Sequence, residues 1–255
     1  MAKVIVLTNQ KGGVGKTTSS AALVAGLQKC GNQVLAIDLD PQGNLGFSLG
    51  VNIEDGHTIY EVLKGEIAPG DAIRHTEDYG DIITSNILLS EAELFLKGED
   101  RKLRLKKALE TLKHRYDYII IDTPPALNIL TVNAYSAADE LIIPMAAEIL
   151  SLVGLVQLKE TIQAVKESIN PRLHVLGILM TKFFKSTTLS KDVLDMASSV
   201  AGQIGTIVFE TKIRNSVRVA EAPAHGMSIF DYSPTSNPAH DYRVFVAETV
   251  ERMGA

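Results

Sequence analysis

The chain has 255 residues, of which 45% are hydrophobic and 22% charged, and it carries a formal net charge of −5. That balance excludes disordered, collagen-like and low-complexity chains, promises burial of roughly three quarters of the unfolded surface, and leaves room for a nucleic-acid contact only as a local patch. One cysteine, Cys30, excludes an internal disulfide framework and any multi-cysteine metal site drawn from a single subunit, so a reducing compartment, the cytoplasm, is expected.

The opening residues MAKVIVLTNQKGG lack the features of a signal peptide, and no apolar run approaches the ~18 residues of a membrane span. Short β-rich runs alternate with longer segments of helical spacing, the pattern of βα units around a parallel sheet. Strands are expected at Lys3–Thr8, Val34–Asp38, Asp81–Thr84, Tyr118–Asp122, Glu140–Met145, His174–Met180 and Ile204–Phe209. Several are apolar throughout, as strands covered by helices on both faces should be. Helices are expected at Lys16–Lys29, Arg101–His114, Leu150–Ser168, Leu189–Val200, Ser216–His225 and Pro238–Arg252. Cys30, at the end of the first helix, is expected to be buried. The segment Glu54–Gly98 reads as an elaboration on the sheet edge, with short helical pieces at Thr58–Lys64 and Ser90–Lys97. Asp231–Asp241 (DYSPTSNPAHD) reads as a surface loop. With no linker, charge block or repeat, residues 1–255 are expected to form one doubly wound α/β domain with a mostly parallel central sheet.

The strongest signal is Lys11-Gly-Gly-Val-Gly-Lys-Thr-Thr18, which follows the apolar strand VIVLT and opens a helix rich in small residues. Strand, glycine-rich turn and helix form the context of a phosphate loop. Gly12, Gly13 and Gly15 let backbone N–H groups converge on phosphate oxygens, and the helix N-terminus adds partial positive charge. Lys16 would offset the β- and γ-phosphates of a nucleotide, and the Thr17 hydroxyl would ligate Mg²⁺. Where such loops carry their first glycine this chain has Gln10, and an additional lysine, Lys11, stands at the loop entrance. Further along, Asp38-Leu-Asp-Pro-Gln-Gly-Asn44 places two carboxylates at i and i+2 after a strand. They could act near the metal or merely cap the strand end. Tyr118-Ile-Ile-Ile-Asp122 is an apolar strand that delivers Asp122 to the sheet's carboxyl edge, where Mg²⁺ would sit.

KGGVGKTT resembles the deviant Walker A motif of the ParA/MinD branch of P-loop ATPases. DLDPQGN and YIIIDTPPALNILTVNA resemble that branch's switch I, Walker B and switch II segments. The resemblance implies an ATP-sandwich homodimer in which Lys11 reaches the partner's phosphates. It implies a nucleotide cradle of Lys11, Gly12, Gly13, Val14, Gly15, Lys16, Thr17 and Thr18. Asp40 is implied to position the attacking water, with Lys11 and Lys16 as the other catalytic residues, and Thr17, Asp38 and Asp122 to serve Mg²⁺, Asp38 in a supporting role. Iron–sulfur members of the branch carry paired cysteines, and this chain does not. Membrane-bound members end in a basic amphipathic helix, whereas VFVAETVERMGA has little basic charge, and its Val244, Phe245, Val246, Val250 and Met253 are expected to pack on the sheet.

The chromosome- and plasmid-partitioning class remains, and Val217-Arg-Val-Ala-Glu-Ala-Pro-Ala-His-Gly226 is similar to the VRLSEAPSHG stretch of Soj-type members. That likeness implies a DNA contact at Arg218, with Lys185 near a second contact. It also aligns Arg214, Asn215 and Ser216 with the Pro-Arg-Asn that the family often has near the adenine, and so implies Arg214 and Ser216 as nucleotide-binding residues. Lys182, Lys185, Lys191, Lys212, Arg214 and Arg218 give this region a basic bias that suits phosphates rather than base edges. The resemblance thus implies a Mg-ATP-dependent ATPase, cytoplasmic and nucleoid-associated, whose dimer binds DNA without sequence preference and segregates DNA with a ParB-like partner. The alternatives are a related ATPase that positions a protein cargo, or a metabolic ATP-using enzyme with the same loop.

Overall fold

The computed structural model describes residues 1–53 and 55–254. Glu54, the first residue of the expected edge elaboration, and Ala255 lie outside the described residues. In chain order the elements are β1 (Lys3–Leu7), α1 (Lys16–Lys29), β2 (Val34–Asp38), α2 (Asn44–Ser48), α3 (Ile59–Lys64), β3 (Arg74–Thr76), β4 (Gly80–Ile83), α4 (Ala92–Phe95), α5 (Arg104–Glu110), β5 (Tyr118–Asp122) and α6 (Ile129–Ala137). There follow β6 (Glu140–Ala146), α7 (Ile149–Ser168), β7 (His174–Phe183), α8 (Thr188–Ile204), β8 (Val208–Arg214), α9 (Val217–Glu221), α10 (Ile229–Tyr232) and α11 (Asn237–Arg252).

The strands form one eight-stranded sheet in the order β3-β4-β2-β5-β1-β6-β7-β8, parallel except for the β3–β4 pair at one edge. β2 and β5 are buried from end to end because helices cover both faces. Side chains alternate between two cores. Val4 and Val6 of β1 join the layer under α5, α6, α7 and α8, while Ile5 and Leu7 join the layer under α1 and α11. Because β1, β2, β5, β6, β7 and β8 share one direction, the loops at their carboxyl ends gather along one edge of the sheet. Among the described residues no helix is long and apolar enough to cross a membrane.

Several boundaries depart from the sequence reading. The last strand runs over Val208–Arg214 rather than Ile204–Phe209: α8 continues to Ile204, and Gly205 ends it in a left-handed conformation. β8 is an edge strand whose buried residues alternate with partly or fully exposed ones, which is why Glu210 and Lys212 fit within it. The helix expected over Arg101–His114 is regular only over Arg104–Glu110, and α6 was not anticipated. Asn128 starts α6, its side chain accepting from the N–H groups of Leu130 and Thr131. Ser216–His225 is a short α-helix followed by a 3₁₀ turn. The supposed loop Asp231–Asp241 contains the end of α10 and the start of α11. Cys30 follows the last helical residue and is exposed. At the C-terminus, Phe245 and Val246 are buried and Val250 and Met253 pack against the core, but Val244 faces solvent.

One close approach ties two distant segments. Gly50, just after α2, and Gly226, just after the Ala222–His225 turn, both have positive φ, and a Cβ on Gly226 would stand 2.7 Å from the Gly50 Cα. Gly226→Ala should therefore lower unfolding stability by about 2 kcal/mol or more, through both the left-handed backbone and the steric overlap. Urea denaturation with an unchanged midpoint would contradict the contact.

Candidate functional site

The loop between β1 and α1 is fastened on both flanks. Asn9 donates to the Pro144 carbonyl at the end of β6 (2.8 Å) and accepts from the Lys11 N–H (3.0 Å). Thr181 at the end of β7 donates to the Val14 carbonyl (2.8 Å). Gly13 and Gly15 take φ of 72° and 84°, and Gly15 starts α1 without a side-chain cap, so the first N–H groups of the helix are left to an external acceptor. Lys16 arches back to donate to the Lys11 carbonyl (3.2 Å). Burial lowers its ammonium pKa, while Asp122 and Asp40 pull it back up.

Beneath the loop, Asp122 is wholly buried at the end of β5. Thr17 Oγ1 donates to its Oδ2 (2.6 Å), and Ser20 Oγ lies 2.9 Å from its Oδ1. Burial pushes the carboxyl up to about 6, against the hydroxyl bonds and Lys16, which lower it. Asp38 stands opposite Asp122 in strand register and is equally buried. Its two oxygens accept from the N–H groups of Asp40 (3.0 Å) and Leu45 (2.9 Å), so it braces the loop that carries Asp40. Burial first and Asp122 second raise the Asp38 carboxyl well above the usual range. Asp40 accepts from the Gln42 N–H (3.1 Å) and lines a cavity of about 790 Å³ that opens in front of the glycine loop.

Lys16, Thr17, Asp38, Asp40 and Asp122 thus come together. Gly12, Gly13, Gly15 and Thr18 also line the cavity, whereas the Val14 side chain is buried. Lys11 is turned sideways. Its Nζ donates to Glu148 (2.6 Å) and Ser151 (3.2 Å) at the start of α7, partners for which the sequence offered no motif. Arg214 and Ser216 line the far wall of the cavity. The Arg214 guanidinium is engaged by Asp241 of α11 (Nη2 to Oδ1, 2.6 Å), and the Ser216 hydroxyl caps α9. Arg218 and Lys185 lie outside the cavity and are exposed. Arg218 is 3.4 Å from Glu221, a pair too exposed to hold it firmly.

A magnesium nucleotide fits these residues. The helix N-terminus and Lys16 suit phosphate, and Thr17 with Asp122 suits a hard cation. Among the described residues no three His, Cys, Asp or Glu side chains cluster as a metal cage. Without nucleotide or metal, Asp122 titrates near 6 rather than its usual 3.8, so the folded state holds an extra proton between those values. The stability this group contributes is greatest at low pH and lost as pH rises through 6. Urea titrations of the nucleotide-free protein should therefore show Asp122→Asn gaining on the parent as pH rises from about 4 to about 7.5. A difference flat over that range would mean an ordinary carboxyl.

Residues 2–175 match the domain family described as AAA domain. The chain is 40% identical over 255 residues to the chromosome partitioning protein ParA of Caulobacter vibrioides, covering 98% of this chain and 94% of that protein. It is 41% identical over 245 residues to the sporulation initiation inhibitor protein Soj of Bacillus subtilis, covering 95% and 96%. In structure it resembles the cobyrinic acid a,c-diamide synthase of Mycobacterium smegmatis solved with ADP and magnesium. The TM-score is 0.87 at 35% identity, with 100% of this chain and 96% of that one covered.

Proposed function

The chain belongs to the family of ParA- and Soj-type partitioning ATPases, and from that premise we propose that it is a nucleotide-gated dimer that carries DNA cargo over nucleoid DNA in the cytoplasm with a ParB-like adaptor. Its chemistry is hydrolysis of ATP with Mg²⁺. The observation that carries the reading is the joint placement of Lys16, Thr17 and Asp40 on one cavity, with the buried Asp122 directly behind Thr17 and hydrogen-bonded to it. The helix N-terminus and Lys16 would take the β- and γ-phosphates, and Thr17 and Asp122 would hold the metal, with Asp38 fixing the loop beside it. The metal would neutralise charge on the phosphates. Asp40 would orient the water that attacks the γ-phosphorus.

The homodimer is inferred from Lys11 and Gly12. Lys11 immediately precedes the cavity-lining Gly12, its side chain held only by the partly exposed Glu148 and by Ser151, and a Cβ on Gly12 would meet nothing within 4 Å in its own chain. Beside it, α7 exposes Ile149, Leu150, Val153 and Val156, an apolar face that a second copy would cover. Gly12→Val should therefore keep ATP binding but abolish ATP-dependent dimerisation in light scattering; a variant that still dimerises would remove the close approach. Asp40→Ala should bind ATP, lose turnover by at least about a hundredfold, and persist as the dimer. Turnover at the parental rate would exclude Asp40 as the water-positioning carboxylate.

For DNA, the exposed Arg218 and Lys185 support phosphate contacts that each dimer doubles. Binding should require ATP, ignore sequence and weaken steeply with salt, and Arg218→Glu should weaken it while leaving ATP affinity intact. The likeness to the diamide synthase favours a second reading, an ATP-using enzyme acting on a small substrate. Absence of DNA binding by the parent with ATP at low salt would favour that reading.

A further inference from the structure

Glu148 is paired with one lysine, Lys11, and lies within electrostatic reach of a second, Lys182. Lys11 holds it at 2.6 Å, and the Ala147 N–H donates to the Thr181 carbonyl (3.2 Å), which sets Glu148 and Lys182 on neighbouring strand ends. The ladder of β6 and β7 ends at the pair Ala146 and Thr181, so Lys182 directly follows the last paired residue of β7 and Glu148 lies two residues past that of β6.

Lys182 is unusual. Among the described residues it is the one non-glycine with positive φ, 49°, and the pairing of β7 with β8 slips between Met180 and Phe183 around it. Such a conformation costs a side-chain-bearing residue energy and persists where the surroundings impose it. Lys182 lies on the cavity wall with Gly13 and Thr181, is exposed, and makes no ion pair within 4 Å among the described residues. Its charge nevertheless reaches Glu148. The Lys11 hydrogen bond chiefly, then the charges of Lys11 and Lys182, hold that carboxyl below its usual range.

We propose that Lys182 is the alternative counter-ion of Glu148. When Lys11 leaves to meet the nucleotide of a second copy, Glu148 turns to Lys182, and no carboxylate is stranded unpaired at the closing interface. An uncompensated carboxylate there would lose water and face phosphate, so its partner bears directly on how readily Lys11 is released. Lys182 is on this account a positioning residue for Lys11. The inference rests on the action of Lys11 across the dimer.

The test is a cycle at saturating ATP, with dimerisation followed by light scattering over a range of protein concentrations. Lys182→Met should raise the half-dimerisation concentration about threefold to tenfold, since each dimer loses two partly exposed pairs, and Lys182→Arg should restore it. In a Glu148→Gln background Lys182→Met should add nothing, because no carboxylate then needs a second partner. Undiminished dimerisation by Lys182→Met would overturn the proposal. So would an equal loss in the Glu148→Gln background, which would mean that Lys182 acts on the nucleotide or the fold. A parent that stays monomeric with ATP would instead remove the premise about Lys11, and the exchange with it.

Discussion

Two wholly buried carboxylates, Asp38 and Asp122, face each other in register at the ends of adjacent strands, and much of the site answers to that crowding of like charge. Each has acquired donors. Asp122 draws Thr17 and Ser20 from α1 and feels Lys16, while Asp38 draws the N–H groups of Asp40 and Leu45. An apolar pair of similar volume would be as stable or more so, but it could neither orient α1 nor attract a cation. Burial first raises both carboxyls, and at Asp38 the charge of Asp122 adds to it. A magnesium nucleotide suits such a place, because it offers a cation to the carboxylates and phosphate to the helix N-terminus.

The same economy of donors governs the loops around the cavity. Asp38 does not merely neighbour Asp40; it fixes the N–H of Asp40 and so sets where that carboxylate begins. Asn9 and Thr181 stitch the glycine loop to β6 and β7, so strand ends define the cradle and the loop itself need not be stiff. Lys11 is the exception: its ion pair with Glu148 is partly exposed and adds little to stability.

The sequence made the central strands and the phosphate loop legible because both are local signals. VIVL, VLAI and YIII are buried on two faces and read as continuous apolar runs, and the glycine spacing with Lys16 and Thr17 leaves little choice of conformation. What escaped was set by distant contacts. β8 carries Glu210 and Lys212 because an edge strand needs only one buried face, so an apolar run was the wrong criterion there. The partners of Lys11 and Arg214, namely Glu148 and Asp241, lie 137 and 27 residues away, and no periodicity links them. Asp241 even fell within a segment read as turn chemistry, although Ser236 and Pro238 in that stretch are the cap and first turn of α11. Cys30 followed helical spacing one residue too far, into the exposed end of α1.

The contact of Gly50 with Gly226 joins backbone to backbone, with no side chain between them whose rotamer could absorb a shift. One of these glycines closes the segment that begins at Asp40 and runs through α2; the other closes the segment that carries Arg218. Close-packed backbones transmit displacement rather than damping it. The spacing between α2, whose Asn44, Phe47 and Ser48 line the cavity, and the segment that carries Arg218 is thus set by two residues that carry no functional group at all.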